Sequence, residues 1–371
     1  MRVGILTSSR ADYGIYLPLL RKLNNDDFFK VDIIAFGTHL SKYHGFTIDQ
    51  IKNDGFEVNY TVLTTFKNDT PRGIAALMGQ TSIEFAKFWG REASNFDIVF
   101  CIGDRYEMFA AVMAGVHFQI PFAHLHGGER SLGATDNIFR HAITLASKIH
   151  FASTVESVKR IAELTETTNG IFHVGALSLD NLKDIKLLTL EEFKNKWGID
   201  LSKKTILVTF HPETTSLTKN DLYSKEIIEA INALPEFQVL ITMPNADTES
   251  NVIRNNFIAN FRDNRNVFLV ENLGTQSYFT AMNYCTLLIG NTSSGIIEAA
   301  SFKKYVINLG ERQKGRTTSS NVIHTAIDSS VIISKILNTA NLMDFEGDNI
   351  YFNGGASEKI LNILKSIDIN D

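Results

Sequence analysis

Two histidines one residue apart, two glycines and an acid form the segment HLHGGE (124–129), directly after the apolar run PFA. A His-x-His pair followed by an acid at a strand end is one way for a metal-hydrolase site to begin. No other ligand cluster is spaced to complete a three- or four-ligand set, so no metal is expected, and interest moves to the acid, Glu129. IGDRYE (102–107) supplies a second acid, Asp104, beside Arg105, just after the apolar run DIVFC. An adjacent acid and base can be a solvated surface pair. At a strand's carboxyl end, Asp104 is instead a candidate general acid or base and Arg105 a phosphate ligand. If the two strands are neighbours, Glu129 and Asp104 converge, and two carboxylates in one site raise each other's pKa. That suits one of them to carry a proton at neutral pH.

TDNIFRHAI (135–143) reads as a helix start, with Thr135 or Asp136 at the cap and Arg140 one turn in, placed to hold a carboxylate or a sugar. FHPET (210–214) follows another apolar run, where His211 can donate to a phosphate or take part in proton transfer. The run TLLIGN leads into TSSGIIEAASF, so that Thr292, Ser293, Ser294 and Gly295 precede or open a helix. Its first N–H groups, its dipole and the hydroxyls of Ser293 and Ser294 make an anion site, although a plain serine cap would look the same. Glu298, expected in the first turn of that helix, is within reach of a sugar hydroxyl. GERQKGR (310–316) brings Arg312 and Arg316 to the same sheet edge, and TSSRADY (7–13) brings Arg10 to a strand end elsewhere. Neither GxGxxG nor GxxxxGK[ST] occurs, so phosphates must be held by arginines and helix ends.

The elements that carry these residues fall into two series. VGILTS (3–8), VDIIAFG (31–37), DIVFCIG (97–103), PFAHLHG (121–127), KIHFAST (148–154) and IFHVG (171–175) are short apolar runs separated by helical patterns. TILVTF (205–210), QVLITM (238–243), NVFLVE (266–271), TLLIGN (286–291) and YVINLG (305–310) repeat the arrangement. Continuous apolar strands alternating with amphipathic helices predict parallel sheets buried on both faces. The fold class is therefore α/β, with two tandem Rossmann-like doubly wound domains. We place the first at residues 1–177, the second at 178–355, and a C-terminal helix at 356–371 packing across the junction. Ligands of such sheets sit outside the strands' carboxyl ends, with the cleft between domains as the default site.

At 371 residues the chain exceeds one compact core of typical size, as two domains require. A net charge of -5 offers no basic footprint for nucleic acid or anionic lipid, and no apolar run is long enough to span a membrane. A cytoplasmic location fits this composition. Cys101 and Cys285 stand alone in apolar runs and read as reduced core residues.

Taken together, SRADYG, GTHL, GDRYEMF, HGGE, DNIFRHAIT, FHPET, PNADT, IGNTSSGIIEAA and INLGERQKGR resemble the UDP-N-acetylglucosamine 2-epimerases, and within them the hydrolysing branch that opens sialic acid biosynthesis. The resemblance runs along nearly the whole chain. SRADY, GDR and HPETT stand where the non-hydrolysing branch has different residues, which favours release of the free sugar. It implies the glycosyltransferase-B architecture, no cofactor and a homo-oligomer, dimer or tetramer. The implied reaction takes UDP-N-acetylglucosamine and water to N-acetylmannosamine and UDP: anti elimination gives 2-acetamidoglucal, then water adds. The same chemistry on UDP-N,N'-diacetylbacillosamine, in the legionaminic acid route, is the alternative. A retaining glycosyltransferase and a non-catalytic nucleotide-sugar binding protein are more distant ones. By motif, Asp104, Glu129 and Asp136 match catalytic carboxylates. Arg10, Arg105, His211, Asn245, Thr292, Ser293, Glu298 and Arg312 match the UDP site. The implied division gives the sugar chemistry to the first domain and UDP to the second. Gly14 departs from a serine that touches the nucleotide in some relatives.

Overall fold

The computed structural model describes residues 1–42, 45–64, 68–244 and 248–367, with the side chain of Lys183 excepted. Its chain divides into two compact units, the first formed by Met1–Glu129, Asp136–Asp184 and Tyr351–Asp371, the second by Arg130–Thr135 and Ile185–Ile350.

The first unit holds a seven-stranded sheet made of β1 (Arg2–Thr7), β2 (Lys30–Phe36), β3 (Val58–Val62), β4 (Ile98–Ile102), β5 (Phe122–Leu125), β6 (Ile149–Ala152) and β7 (Ile171–His173). Its order is β3-β2-β1-β4-β5-β6-β7. Every pairing is parallel. The second unit holds six strands, β8 (Thr205–Thr209), β9 (Gln238–Thr242), β10 (Val267–Val270), β11 (Leu287–Gly290), β12 (Val306–Leu309) and β13 (Val322–Thr325), in the order β10-β9-β8-β11-β12-β13. These too are parallel throughout. Both sheets reverse direction of winding beside their first strand, between β1 and β4 and between β8 and β11. Those are the switch points where strand-end loops diverge and leave room for a ligand.

The central strands are buried along their whole length, Ile98–Ile102 and Thr205–Thr209 among them, because helices cover both sheet faces. Phe85, Phe88, Trp89, Phe100 and Phe122 fill the first core, and Phe210, Phe257 and Phe261 anchor the second. Cys101 and Cys285 are buried free thiols, pushed up to about 12 by desolvation. None of the helices in the described residues is long and apolar enough to cross a membrane. Two edge strands, β3 and β13, were not anticipated. VNYTV alternates between exposed and covered positions and VIHT is only partly covered, so neither reads as a continuous apolar run.

The division falls after Asp184 and Ile350 rather than at the expected positions 177 and 355. Residues past 177 stay with the first unit because Asn181 Nδ2 donates to Gly14 O at 2.9 Å, on the helix Arg10–Asn24. Asp180 does more: its buried carboxylate takes the Ala356 and Ser357 N–H groups at 3.1 and 2.7 Å and the Ser357 hydroxyl at 2.6 Å. That caps the C-terminal helix Ala356–Ser366, whose Ile360, Leu361 and Leu364 enter the first core. Lys22–Glu358 at 2.7 Å and Lys365–Asp26 at 2.5 Å fasten its outer side.

Replacing Asp180 by Ala strands three donors in a buried place, so we predict a stability loss of about 3 kcal/mol. Amide exchange across Ala356–Ser366 should accelerate selectively. Unchanged exchange there would remove Asp180 from this role.

Candidate active site

At the first switch point Ser9 caps the helix Arg10–Asn24, accepting from Asp12 N, and Arg10 is its first residue. Asp12 is buried and takes both the N–H and the hydroxyl of Ser8, at 2.9 and 2.6 Å. Across the gap, Arg105 caps the helix Tyr106–Gly115 and donates to Glu107 Oε1 at 2.8 Å. Burial pushes the carboxyls of Asp12 and Glu107 up, against the pull of Arg105 on each. Arg105 thus has its charge opposed by two acids of its own unit, a different setting from the outward phosphate ligand that the dipeptide suggested.

The strand-neighbour expectation for β4 and β5 holds, since Ile102 pairs with Leu125. What lies between Asp104 and Glu129 is a third group. Arg140, 3% exposed, donates from Nη2 to Asp104 Oδ2, from Nη1 to His126 O at 2.9 Å, and stands 3.8 Å from Glu129 Oε2. The two carboxylates share a buried guanidinium. Asp136, the proposed third acid, begins the same helix, Asp136–Leu145, one turn before Arg140. Glu129 Oε1 also receives the Ser153 hydroxyl at 2.6 Å and faces His126 Nδ1 at 2.8 Å. His126 adopts φ 61°, the left-handed region uncommon for a residue with a Cβ.

The histidine pair is not a ligand pair. His124 is buried with Nε2 on Gly103 O at 2.9 Å and Nδ1 on Thr144 Oγ1 at 3.1 Å, so neither nitrogen is available. Among the described residues no cluster of three or more His, Cys, Asp or Glu could hold a metal ion. The two glycines of the turn are required by its own packing. A Cβ on Gly127 would lie 2.8 Å from His124 Nδ1, and one on Gly128, at φ 73°, 2.4 Å from Ser157 O. They let the turn pack on its own neighbours. His39 likewise is engaged at both nitrogens, by Thr7 and Thr47 at 2.9 Å each.

In the second unit Gly290 ends β11 at φ 135°, where a Cβ would come 1.9 Å from Thr209 O. Asn291 follows, fully buried, and joins two loops. Its side chain accepts from His211 N at 2.7 Å and donates to His211 O at 2.8 Å, while its carbonyl accepts from Gln313 Nε2 at 2.7 Å and Arg312 Nη1 at 3.4 Å. Glu213 Oε1 accepts from Glu311 N at 2.6 Å, fixing the turn that carries Arg312, and burial pushes its carboxyl up. Arg316 donates to Gln313 at 2.9 Å. Thr292 is the cap of the helix that follows, Ser293–Ile297, with Ser293 exposed and Ser294 half-buried on its first turn. Glu298 closes this five-residue helix instead of lying in its first turn, and is buried. The segment Arg130–Thr135 joins the same group: Leu132 N donates to Lys314 O at 3.0 Å and Thr215 Oγ1 to Gly133 O at 2.9 Å. A Cβ on Gly133 would fall 2.0 Å from Glu311 O, which fixes glycine there. Asn245 lies outside the described residues.

The strand-end rule therefore located Asp104, Glu129, His211, Thr292 and Arg312. It missed Ser153, Asn291, Glu213 and Gln313, whose partners are remote in sequence. A polar residue directly ending an apolar run, as in TLLIGN, was the signal available for Asn291.

Comparison with known proteins agrees with this architecture. A family model described as UDP-N-acetylglucosamine 2-epimerase matches residues 21–365. The UDP-N,N'-diacetylbacillosamine 2-epimerase (hydrolyzing) of Legionella pneumophila is 33% identical over 369 residues, covering 100% of this chain and 97% of that protein. Polysialic acid biosynthesis protein P7 of Escherichia coli is 32% identical over 90% of this chain and 85% of its own. Among solved structures, that of UDP-GlcNAc 2-epimerase from Neisseria meningitidis bound to UDP-GlcNAc superposes with a TM-score of 0.80 at 18% identity, covering 99% of this chain and 100% of that one. The two-domain, Rossmann-like glycosyltransferase-B fold is thereby shared.

Burial lowers three histidines of the first unit, His39 and His150 to about 4 and His124 to about 3. A lowered histidine stays neutral in the folded state while the unfolded chain takes up protons below about 6.5. Each contribution is whole above that pH and is lost as pH falls toward the folded value. At pH 5 the loss is on the order of 2 kcal/mol per histidine. Urea unfolding at pH 7 and pH 5 should show this, and His39→Asn should flatten the slope. Equal stability at both values would contradict it.

Proposed function

Because the chain belongs to the UDP-N-acetylglucosamine 2-epimerase family, we propose that it is a hydrolysing 2-epimerase, taking a UDP-linked 2-acetamido sugar and water to UDP and the free C2-epimer. The observation that carries this reading is the array Asp104–Arg140–Glu129, built on a buried guanidinium, with Asp136 one turn away, at the carboxyl ends of β4 and β5. It offers acid and base groups to a sugar ring and no redox or metal machinery is needed.

The reaction proposed has two halves. The bond from C1 to the diphosphate oxygen breaks, the C2 proton passes to a carboxylate, and the electron pair of the C–H bond becomes the C1–C2 double bond of a glycal. Water then adds its oxygen to C1 while C2 receives a proton on the opposite face. Asp104 and Glu129 are the candidates for these transfers, with Arg140 holding both in place. The C2 proton is weakly acidic, so stabilising the departing diphosphate is the larger task, and each well-aimed donor is worth about 3 kcal/mol. We assign that task to the second unit: Arg312, His211, the hydroxyls of Thr292, Ser293 and Ser294, and the N–H groups opening Ser293–Ile297. Glu298 is assigned to the ribose or sugar hydroxyls, and Arg10 and Arg105 complete the charged set.

UDP-N-acetylglucosamine, giving N-acetylmannosamine, is one candidate substrate. The Legionella relative, similar over the whole chain, favours the second: UDP-N,N'-diacetylbacillosamine, with an acetamido group at C4. Incubation with each nucleotide sugar in deuterated water, without acceptor, decides both questions by proton NMR. We expect UDP and a free 2-epimer carrying deuterium at C2 from one of the two. An epimer still linked to UDP would overturn hydrolysis, and an acceptor requirement would indicate a glycosyltransferase. Glu129→Gln should lower turnover by about 100-fold or more with UDP affinity retained.

A further inference from the structure

His126 has no part in the reaction as proposed above, yet three features single it out. Its backbone is held at φ 61°, its carbonyl is taken by the buried Arg140, and its ring nitrogen Nδ1 meets Glu129 Oε1 at 2.8 Å. Strained residues that the surroundings over-determine cluster at functional sites, which makes the contact worth pursuing. The side chain is 7% exposed, and Nε2 has no hydrogen-bond partner among the described residues. Groups that face the pair include Ser153, whose hydroxyl reaches Oε1 at 2.6 Å, Arg140, 3.8 Å from Oε2 and bonded to Asp104, and the neighbouring His124, held by Gly103 O and Thr144.

A bare ring nitrogen set against a carboxylate oxygen would be repelled, so the contact requires the proton on Nδ1. Two donors, Nδ1–H and Oγ–H, then occupy Glu129 Oε1. Oε2 lies on the side of Arg140, 3.8 Å away. From this geometry we propose that His126 is a positioning residue for Glu129: its Nδ1–H, together with the Ser153 hydroxyl, holds Oε1 and so fixes the orientation in which the carboxylate acts. The proposal rests on the epimerase reading for the role of Glu129. The Nδ1–H pairing itself does not.

The two parts are tested separately. In protein labelled with nitrogen-15 histidine, the spectrum should show His126, identified by its absence in His126→Asn, as the Nδ1–H tautomer. An Nε2–H tautomer would overturn the pairing whatever the enzyme does. For the kinetic part, His126→Gly keeps the left-handed backbone and deletes the donor, while His126→Asn keeps both, its amide standing where Nδ1 stood. Measured as UDP release from UDP-N-acetylglucosamine and UDP-N,N'-diacetylbacillosamine, kcat/KM should fall about 100-fold or more in the glycine variant. It should stay within about tenfold of wild type in the asparagine variant. The acid limb of the pH profile should move up by about one unit in His126→Gly only, since a carboxylate that loses a donor becomes easier to protonate. UDP binding, followed by calorimetry, should hold within about threefold in both. Equal losses in the two variants, or a glycine variant with the wild-type profile, would sink the positioning role. If wild-type protein releases UDP from neither sugar, the epimerase reading fails and the positioning role with it, while the nitrogen spectrum still decides the pairing.

Discussion

A buried guanidinium must be surrounded by acceptors, and Arg140 shapes the first unit's strand ends through that demand. Desolvating such a charge is costly, and attraction offsets the cost only where geometry is good and the remaining donors are met. Asp104 and the His126 carbonyl accept from the two Nη groups of Arg140 and Glu129 adds charge at 3.8 Å, while Nε has no hydrogen-bond partner among the described residues. These three partners come from different places: the loop after β4, the turn after β5, and that turn's end. Holding Arg140 therefore holds the ends of two adjacent strands and the first turn of the helix Asp136–Leu145 in one arrangement. The left-handed backbone of His126 is part of the same solution, because it directs the carbonyl to Nη1 while the ring turns to Glu129.

The second unit reaches an equivalent end without a buried charge at its centre. Asn291, ending β11, offers a neutral amide and a carbonyl, and through them ties the His211 loop to the turn bearing Arg312 and Gln313. A neutral hub has little desolvation to offset. Glu213 takes over the remaining backbone donor at Glu311. Thus one unit fixes acids around a base, and the other fixes a base around an amide.

How much of this the sequence disclosed depends on the range of the interaction. The central strands were visible because burial on both faces leaves continuous apolar runs such as IVFCI and TILVT. The edge strands VNYTV and VIHT carry the mixed pattern of half-covered segments and were lost. The same rule divides the site. Asp104, Glu129 and His211 could be found from position alone, since a polar residue just past an apolar strand lies at the ligand end of a parallel sheet. That Glu129 would find Ser153, or Asn291 would find Gln313, is set by pairings between β5 and β6 and between β11 and β12, which no local pattern encodes. The need for glycine at 128 is likewise non-local, since it is set against Ser157 in the helix Val155–Thr165, a contact made only once that helix packs.

The charge balance of the two sites bears on the order of events in the proposed reaction. In the first unit Arg140 faces Asp104 and Glu129, and Arg105 faces Glu107 and Asp12. Each guanidinium there is balanced by acids of its own unit, so in the proposed reaction Arg10 and Arg105 only add to a diphosphate field set mainly by the second unit. The acids favour the positive charge that grows at C1 as the anomeric bond stretches. The second unit offers the reverse: Arg312, a helix N-terminus and hydroxyls, with Asn291 and Glu213 fixing the turn that carries Arg312. In the proposed reaction, acids of the first unit assist charge growing at C1 and donors of the second assist charge growing on the diphosphate, so each favours breaking the bond before proton transfer becomes easy. Cleavage leading deprotonation is then the order that both fields assist, and a carboxylate of ordinary strength suffices as base, because the proton it removes has been made acidic by the charge beside it.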